Sequence, residues 1–264
     1  MTLPFYKYQG AGNDFIMIDN RQEIFPSPDD QVFIEKLCDR RFGIGADGLI
    51  LLNQVDGYDF EMVYFNSDGR QSSMCGNGGR CIVAFAQYLG IIKERCTFLA
   101  IDGPHEALLE QPDWVELKMR EVQHIEKGDG FYYLNTGSPH FVRFVDRLDQ
   151  INVIKEGRAV RYSERFKAEG TNVNFVEVQA AGIAVATYER GVEGETLACG
   201  TGVTACALAY YLHMEEAGAA EVEVQAKGGK LKVRFEKTQK GFENIWLCGP
   251  AHRVFEGTYD LHAS

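Results

Sequence analysis

Two nearly identical cysteine-glycine elements, each followed by an apolar stretch, constrain the fold of this chain more than any other feature. Cys75-Gly-Asn-Gly-Gly79 opens the stretch from Arg80 to Leu89, and Cys199-Gly-Thr-Gly202 opens the stretch from Val203 to Leu212. Both stretches have helical length and are apolar on almost every side, which is typical of helices buried all round. A chain that repeats such an element predicts two similar, pseudo-symmetric domains, each with its own buried central helix.

The segments around these helices are short, rich in β-formers and bounded by glycine or other turn residues. The runs that predict strands are Leu49–Leu52, Glu61–Phe65, Thr97–Ile101, Trp114–Met119, Asn172–Val178, Ile183–Tyr188, Glu221–Gln225 and Lys230–Glu236. The last two alternate strictly, and Gly228-Gly229 between them indicates an antiparallel hairpin. We therefore predict an α/β fold in which each domain is a mostly antiparallel, β-barrel-like sheet wrapped around its central helix.

Three further signals bear on the organisation of the chain. Ser27-Pro28-Asp29-Asp30 predicts the capped start of a third helix over Val32–Arg40. Asparagine is followed closely by phenylalanine in each half, in Asn13-Asp-Phe15 and in Asn172-Val-Asn174-Phe175, and we interpret the two segments as repeat-related. We place the domain boundary near 118–122 and a return of the tail at Gly249-Pro250. The predicted domains are residues 1–118 with 250–264, carrying Cys75, and residues 119–249, carrying Cys199.

The composition excludes several classes of protein and partner. Hydrophobic residues make up 45% and charged residues 25% of the chain, which is the balance of an ordinary globular protein. Lys+Arg 27 against Asp+Glu 38 gives a net charge of −11, so we expect neither nucleic acid nor a membrane as partner. No run approaches the roughly 18–20 apolar residues that span a bilayer, and the N-terminus lacks the pattern of a signal peptide. These features predict a cytoplasmic protein.

The seven cysteines are an odd number, and most are expected to be small buried hydrophobes in a reducing compartment. Cys75 and Cys199 differ because they stand at predicted helix N-termini, where N–H groups and the helix dipole lower a thiol pKa below about 8.5. The adjacent glycines let the backbone approach an anion closely. Two such starts facing each other would suit inversion of a stereocentre, since one thiolate would remove an α-proton and the other thiol would return one to the opposite face.

Other uses of the cysteines stay open at this point. Neither Cys75 with Cys81 nor Cys199 with Cys206 has the spacing of a structural zinc site, so we expect no metal. A thiol redox or sulfur-transfer protein is one alternative, although a C-x-x-C motif is absent. An amino-acid binding protein without catalysis is another, although it would have no need for both cysteine elements.

Motifs along nearly the whole chain, from Phe5 to Tyr259, resemble those of the diaminopimelate epimerase family and occur in the family's order. They are Gly10-Ala-Gly-Asn-Asp-Phe15, Phe65-Asn-Ser-Asp-Gly69, Met74-Cys-Gly-Asn-Gly-Gly-Arg80-Cys81, Tyr188-Glu-Arg-Gly191 and Thr196-Leu-Ala-Cys-Gly-Thr-Gly202. The wider superfamily includes proline racemase and shares the cysteine pair. A racemase of that superfamily acting on another amino acid is therefore an alternative, although it is not expected to match the asparagine and Glu-Arg positions so well.

The resemblance implies a cofactor-independent epimerase that converts LL-2,6-diaminopimelate to the meso form in lysine and peptidoglycan precursor synthesis. It implies that no pyridoxal phosphate or metal takes part, that Cys75 and Cys199 are the two acid/base groups, and that the protein is a homodimer. In the LL-to-meso direction Cys199 is expected to accept the proton and Cys75 to donate one. The reverse reaction exchanges these roles.

The resemblance also implies a set of substrate-binding residues. Backbone N–H groups for the carboxylate at the inverted centre are expected from Gly76, Asn77, Gly200 and Thr201. The uninverted end of the substrate is expected to bind to Asn13, Asn66, Asn172 and Arg190. Positions thought to orient the substrate or to tune the thiol pKa values are His140 and Glu189. Gly48 and Ser138 depart from the family pattern, where some members have glutamine and many have asparagine, and we leave both out of the predicted site.

Overall fold

The computed structural model describes residues 2–72, 74–111, 113–215 and 219–261. These residues form two compact units, one through Leu117 and again from Pro250 onward, the other over Lys118–Gly249. Lys118, predicted in the first domain, groups with the second unit, because its ammonium donates to Asn244 Oδ1 at 3.0 Å and lies 4.8 Å from the centre of the Trp246 ring. That the two units are separate domains stays a prediction, and the predicted terminal residues 1 and 262–264 lie outside the described residues.

The first unit is built from strands around one central helix. Its elements begin with β1 (Thr2–Gly10), β2 (Asn13–Asp19), α1 (Gln31–Cys38), β3 (Gly48–Asn53), β4 (Phe60–Asn66), β5 (Gln71–Ser72), α2 (Gly76–Tyr88), β6 (Arg95–Ala100), β7 (Gly103–Gln111) and β8 (Trp114–Lys118). Strands β1 to β4 pair in sequence, β4 then pairs with β6 and with the short β5, and β6, β7 and β8 follow as antiparallel neighbours. The pairs β2–β3 and β4–β6 are parallel, and helices α1 and α2 provide their crossovers.

The described residues of the second unit form the next nine strands and two α-helices. Its elements are β9 (Ile125–Gly128), β10 (Phe131–Asn135), β11 (Pro139–Phe144), a 3₁₀ turn (Leu148–Gln150), α3 (Val153–Arg161), β12 (Asn172–Val178), β13 (Ile183–Glu189), β14 (Gly194–Thr196), α4 (Gly200–His213), β15 (Ala219–Ala226), β16 (Gly229–Thr238) and β17 (Gly241–Pro250). The strands pair in the order β9-β10-β11-β12-β13-β15-β16-β17, and the short β14 also pairs with β13. A last strand, β18 (His252–Asp260), returns to the first unit and pairs antiparallel with β1.

The second unit repeats the topology of the first. Strands β11–β12 and β13–β15 are its parallel pairs, bridged by α3 and α4, and β9 pairs with β10 as β18 pairs with β1. The predicted α/β fold of two repeated, mostly antiparallel sheets is confirmed. The predicted equivalence of Asn13 and Asn172 is wrong: Phe15 pairs with Gly48 just as His140 pairs with Asn172, so Asn172 corresponds to Gly48.

The two central helices are buried as predicted. Helix α2 contacts strands at both ends of its sheet, β18 and β1 as well as β7, and α4 is packed in the same way against β10 to β13, β15 and β16. Both helices begin directly after the cysteine, which is the N-cap residue, so the glycines form the first turn. The carbonyl of Cys75 accepts from Gly79 N at 2.7 Å, and that of Cys199 accepts from Val203 N at 2.8 Å.

The shorter helices depart from the predictions. Helix α1 is capped by Asp30, whose side chain accepts from Phe33 N at 3.0 Å, so Ser27 and Pro28 lie before the helix rather than in it. Helix α3 was not predicted, because it buries only Val153 and Gly157 and four of its nine residues are charged, so no continuous apolar run indicates it. Among the described residues, no helix combines the length and apolar character needed to cross a membrane.

Candidate active site

In the first unit, the sulfur of Cys75 lies beside an amide oxygen. Asn13 Oδ1 is 3.7 Å from Cys75 Sγ and accepts from Asn77 Nδ2 at 3.4 Å. The other end of the Asn13 amide, Nδ2, donates to Asp47 Oδ2 at 2.6 Å. Because a carboxylate only accepts, this bond fixes the amide with its oxygen toward the start of α2.

Arg80 holds the first turn of α2 from inside the unit. Its side chain is completely buried, and its guanidinium donates to Asn77 Oδ1 at 2.8 Å, to the Gly76 carbonyl at 3.2 Å and to the Pro250 carbonyl at 3.5 Å. A buried cation needs such partners, because the loss of hydration is otherwise costly. Sequence reasoning missed Arg80, although a single charge in an otherwise apolar helix was a visible signal.

Asp47, which anchors Asn13, belongs to an ion cluster with Lys7, Asp14 and Arg40. Asp14 accepts from Lys7 at 2.8 Å and from Arg40 at 2.6 Å, and Arg40 also reaches Asp47 at 2.7 Å. Burial alone would raise the pKa of Asp14, but the hydrogen bonds from Arg40 and Lys7 outweigh it and lower that pKa to about 2. The Asp14 carboxylate is therefore charged at neutral pH, which strengthens its hydrogen bonds.

In the second unit, the sulfur of Cys199 lies beside a hydroxyl group. Cys199 Sγ is 3.5 Å from Thr201 Oγ1, and that oxygen is 2.9 Å from His140 Nε2. His140 lies on β11 and is completely buried. Burial, together with the positive charge of Arg190, lowers the pKa of His140 to about 3, so its ring is neutral at physiological pH.

A second asparagine determines how the ring of His140 is hydrogen-bonded. Asn174 Nδ2 lies 3.1 Å from His140 Nδ1 and donates to the Phe141 carbonyl at 3.0 Å, while Asn174 Oδ1 accepts from Thr187 Oγ1 at 2.9 Å. All of these side chains are buried or nearly so, and the glycine next to Thr201 lets them approach. A Cβ at Gly202 would lie 2.7 Å from Asn174 Oδ1.

The remaining predicted residues of the second unit lie at the ends of β12 and β13. Asn172 Oδ1 accepts from the backbone N–H of Arg190 at 2.8 Å, and its Nδ2 donates to the Pro139 carbonyl at 3.2 Å. Arg190 is exposed, with its guanidinium donating to the Glu169 carbonyl at 2.9 Å. Glu189 is half-buried, and burial raises its pKa. An asparagine thus anchors the backbone of the arginine that is predicted to bind the distal carboxylate.

The structure therefore groups the predicted residues within each unit. In the first unit, those at the start of α2 are Asn13, Cys75, Gly76 and Asn77, whereas Asn66 ends β4 and its backbone closes the turn to Arg70. In the second unit, those at the start of α4 are His140, Cys199, Gly200 and Thr201. A Cβ at Gly48 would lie 2.5 Å from the Phe65 carbonyl, so no side chain fits there. The roles of the predicted site residues in binding and catalysis stay predictions.

Comparison with known proteins gives the family context of this geometry. The family model described as diaminopimelate epimerase matches residues 5–125 and 132–254. A diaminopimelate epimerase of Flavobacterium psychrophilum is 52% identical, with 97% of this chain and 100% of that protein covered. One from Chlorobaculum tepidum is 42% identical, with 96% and 99% covered.

Solved structures extend the comparison to more distant proteins. A phenazine biosynthesis protein of the PhzF family from Bacillus anthracis superposes with a TM-score of 0.78 at 15% identity, covering 99% of this chain and 100% of that one. A hydroxyproline epimerase from Agrobacterium vitis, with bound trans-4-hydroxy-L-proline, gives 0.68 at 12% identity, covering 98% and 91%. At such identities the likeness shows the shared fold.

Proposed function

The chain belongs to the diaminopimelate epimerase family, and on that premise we propose that it interconverts LL- and meso-2,6-diaminopimelate. The observation that carries the proposal is the repeated helix start: each unit presents a cysteine as the N-cap of a glycine-rich, buried helix. Such a start combines a thiol with backbone N–H donors and the positive end of a helix dipole. This combination suits proton transfer next to a carboxylate.

The proposed reaction is a two-base exchange of the α-proton. In the LL-to-meso direction the Cys199 thiolate accepts the proton, and the Cys75 thiol returns one to the opposite face of the α-carbon. An α-proton next to a carboxylate and an ammonium is a very weak acid, so negative charge that develops on the carboxylate must be stabilised. The N–H donors of the two helix starts, at Gly76-Asn77 and Gly200-Thr201, serve this purpose.

The distal, unreactive end of the substrate supplies specificity in this proposal. Arg190 has the planar fork of donors that binds a carboxylate bidentately, and Asn172 positions its backbone. Asn13 and Asn66 bind the ammonium and carboxylate of the same end, and Glu189 orients it. An amino acid that lacks this second end would lose those contacts and react poorly.

The family context extends the proposal to the setting of the enzyme. We propose that the reaction needs no pyridoxal phosphate, that it serves lysine and peptidoglycan precursor synthesis, and that the protein is a cytoplasmic homodimer. A sedimentation velocity measurement of the purified protein tests the dimer. A sedimenting species with the mass of one chain at micromolar concentration would contradict it.

The decisive experiment is incubation with LL- and meso-diaminopimelate in D₂O without any added cofactor. We expect the two isomers to interconvert while deuterium enters at one α-carbon, and we expect Cys75→Ala and Cys199→Ala variants to lose this activity. Proline serves as the comparison substrate. Turnover of proline at a comparable rate would favour the superfamily racemase, and a requirement for pyridoxal phosphate would refute the thiol mechanism.

A further inference from the structure

We propose that the two units hold their cysteines in opposite protonation states through two positioning residues, Asp47 in the first unit and Asn174 in the second. Asp47 acts through Asn13, and Asn174 acts through His140 and Thr201. The inference rests on the proposed function, because it concerns which sulfur removes the proton and which returns it. It deepens that function by explaining, from hydrogen-bond geometry, why Cys199 is the thiolate and Cys75 the thiol before the LL-to-meso reaction.

In the first unit, the hydrogen bond to Asp47 turns the Asn13 oxygen toward the sulfur. The distance from Asn13 Oδ1 to Cys75 Sγ is 3.7 Å, and an amide oxygen can only accept. A thiol at Cys75 donates to this oxygen, whereas a thiolate would face its lone pairs. The anchoring bond to Asp47, at 2.6 Å, is charge-assisted and holds the amide against rotation. The first unit therefore favours the protonated form of Cys75.

In the second unit, the order of donors is reversed. The amide nitrogen of Asn174 can only donate, so His140 Nδ1 is the acceptor at 3.1 Å and the proton of the neutral ring lies on Nε2. His140 Nε2–H then donates to Thr201 Oγ1 at 2.9 Å, which leaves the hydroxyl proton to point elsewhere. Cys199 Sγ lies 3.5 Å from that oxygen and receives this proton as a hydrogen bond. A donor at the sulfur favours the thiolate form of Cys199.

The orientation of Asn174 is itself fixed on both sides. Thr187 is its cross-strand partner on β13, and the Thr187 hydroxyl donates to Asn174 Oδ1 at 2.9 Å. The Phe141 carbonyl can only accept, and it takes the second proton of the amide nitrogen at 3.0 Å. A flipped amide would place its oxygen against that carbonyl and its nitrogen against the hydroxyl. The orientation of Asn174 therefore determines the direction of the hydrogen bonds from Asn174 through His140 and Thr201 to Cys199.

Other charged and titratable groups lie in both units near these hydrogen-bonded residues. In the second unit they are Arg190, which acts electrostatically on His140, Glu189 at the end of β13, and Cys206 on α4, which interacts electrostatically with Cys199. In the first unit they are Lys7, Asp14 and Arg40, which belong to the ion cluster of Asp47, and Cys81 on α2, which interacts electrostatically with Cys75. Because burial and the charge of Arg190 keep His140 neutral, the tautomer of the ring rather than its charge sets the direction of the Thr201 hydroxyl.

The two hydrogen-bond arrangements define the protonation states of the cysteines before and after the reaction. In the LL-to-meso direction the α C–H bond breaks as an S–H bond forms at Cys199, and the S–H bond at Cys75 breaks as a C–H bond forms on the opposite face. The enzyme is left with a thiol at Cys199 and a thiolate at Cys75. Both positioning residues disfavour this state, so the two sulfurs return to their starting protonation by exchanging protons with solvent after product leaves.

The tautomer of His140 is the first test, and it needs no substrate. In ¹⁵N spectra of protein with labelled histidine rings, the His140 signals are those missing from a His140→Gln variant. We expect a neutral ring with its proton on Nε2 in the wild type. In Asn174→Asp the carboxylate can only accept, so the neutral ring should carry its proton on Nδ1. A wild-type proton on Nδ1, or no change in the variant, would overturn the inference.

The reactivity of each sulfur is the second test. Iodoacetamide alkylates the thiolate, so peptide mass spectrometry across a pH series reports the two cysteines separately. We expect Cys199 to react at lower pH than Cys75. At a pH below both thiol pKa values, Thr201→Val should slow alkylation of Cys199 about tenfold, equivalent to one pKa unit. Thr201→Ser should keep the wild-type rate, because it retains the hydroxyl.

Matched variants separate positioning from general damage to the fold. Thr204→Val removes another buried hydroxyl of α4, which donates to the Gly200 carbonyl at 3.0 Å, and should leave the alkylation profile of Cys199 in place. Asp47→Asn should speed alkylation of Cys75 about tenfold at the same pH, because the Asn13 amide is released to present its nitrogen. Arg40→Gln loosens the same ion cluster but keeps Asp47, so it should not speed alkylation of Cys75.

The outcomes separate this inference from the proposed function. Equal alkylation profiles for both cysteines, or equal slowing by Thr201→Val and Thr204→Val, would overturn the inference even if the wild type epimerises diaminopimelate. If the tautomer and the order of alkylation are as expected while diaminopimelate is not a substrate, the inference on the two sulfurs stands and the proposed function fails.

Discussion

The substitution Gly202→Ala probes the packing around the second cysteine most directly. A Cβ at this position would lie 2.7 Å from Asn174 Oδ1 and 3.3 Å from both His140 Cε1 and Cys199 Cβ. The amide of Asn174 cannot move aside cheaply, because it makes three buried hydrogen bonds to His140, the Phe141 carbonyl and Thr187. The added methyl group must therefore break one of these bonds or displace the start of α4.

The magnitude follows from opposing contributions. Alanine in place of glycine favours a helix by about 0.5–1 kcal/mol. Overpacking a well-filled interior costs about 1–3 kcal/mol, and a buried polar group left without its partner costs about another 1–3 kcal/mol. We expect the free energy of unfolding to fall by about 2–3 kcal/mol, which lowers the melting temperature of the unit by roughly 5–10 °C.

The repeat offers a matched control at the same place in the first unit. Gly78 also stands three residues after its cysteine, but there a Cβ would meet the side-chain ends of Ile50, at 3.1 Å, and Met62, at 3.4 Å. These methyl groups can shift by a few tenths of an ångström, so Gly78→Ala should change the free energy of unfolding by less than about 1 kcal/mol. Differential scanning calorimetry of both variants measures the contrast. Equal effects would refute the argument that Asn174 is held rigidly.

Three further outcomes can be measured independently. Arg190→Ala should lower kcat/KM for diaminopimelate by tens- to thousands-fold, about 2–5 kcal/mol, with Arg190→Lys intermediate, and a wild-type value would make Arg190 a bystander. The folded pKa of His140 is about 3, so between about pH 6 and pH 5 this ring takes up a proton only in the unfolded chain. The free energy of unfolding should therefore fall by about 1.4 kcal/mol for each unit by which the pH is lowered in this range, and urea titrations of His140→Gln should lack this contribution. Asp14, whose folded pKa is lowered to about 2, should contribute about 2 kcal/mol above pH 5, lost as the pH falls toward 2, so Asp14→Asn should cost that much at pH 7 and clearly less at pH 3.

The sequence was sufficient for features whose signal is local. The helix starts at Cys75 and Cys199 were predictable, because the glycines, the apolar run and the cysteine are adjacent along the chain. Helix α3 was not, since its burial is limited to Val153 and Gly157, although the capping residue Asn152 was a usable sign. Local patterns thus identify helices that are buried on nearly every side and miss those that bury only a few residues.

The supporting residues of the site depend instead on strand register. Asn174 and Thr187 become partners only because β12 and β13 pair so that these two residues are opposite each other, and a shift by one residue would place a neighbour of Thr187 opposite Asn174 instead. Asp47 similarly reaches Asn13 because β2 and β3 run parallel and begin side by side. Register is set by the whole sheet, so a short motif contains no information about such neighbours.

The return of β18 to the first unit affects the order in which the two units fold during synthesis on the ribosome. Strand β1 pairs with β18 from Thr2 opposite Asp260 to Gln9 opposite His252, and the entire second unit is synthesised between them. Units generally fold as their residues emerge, so the later-encoded unit completes its sheet first. Until the last strand arrives, β1 has an open edge, which is the kind of surface that chaperones cover and that recruits a strand from another nascent chain. The order of synthesis and the order of completion are therefore reversed in this protein.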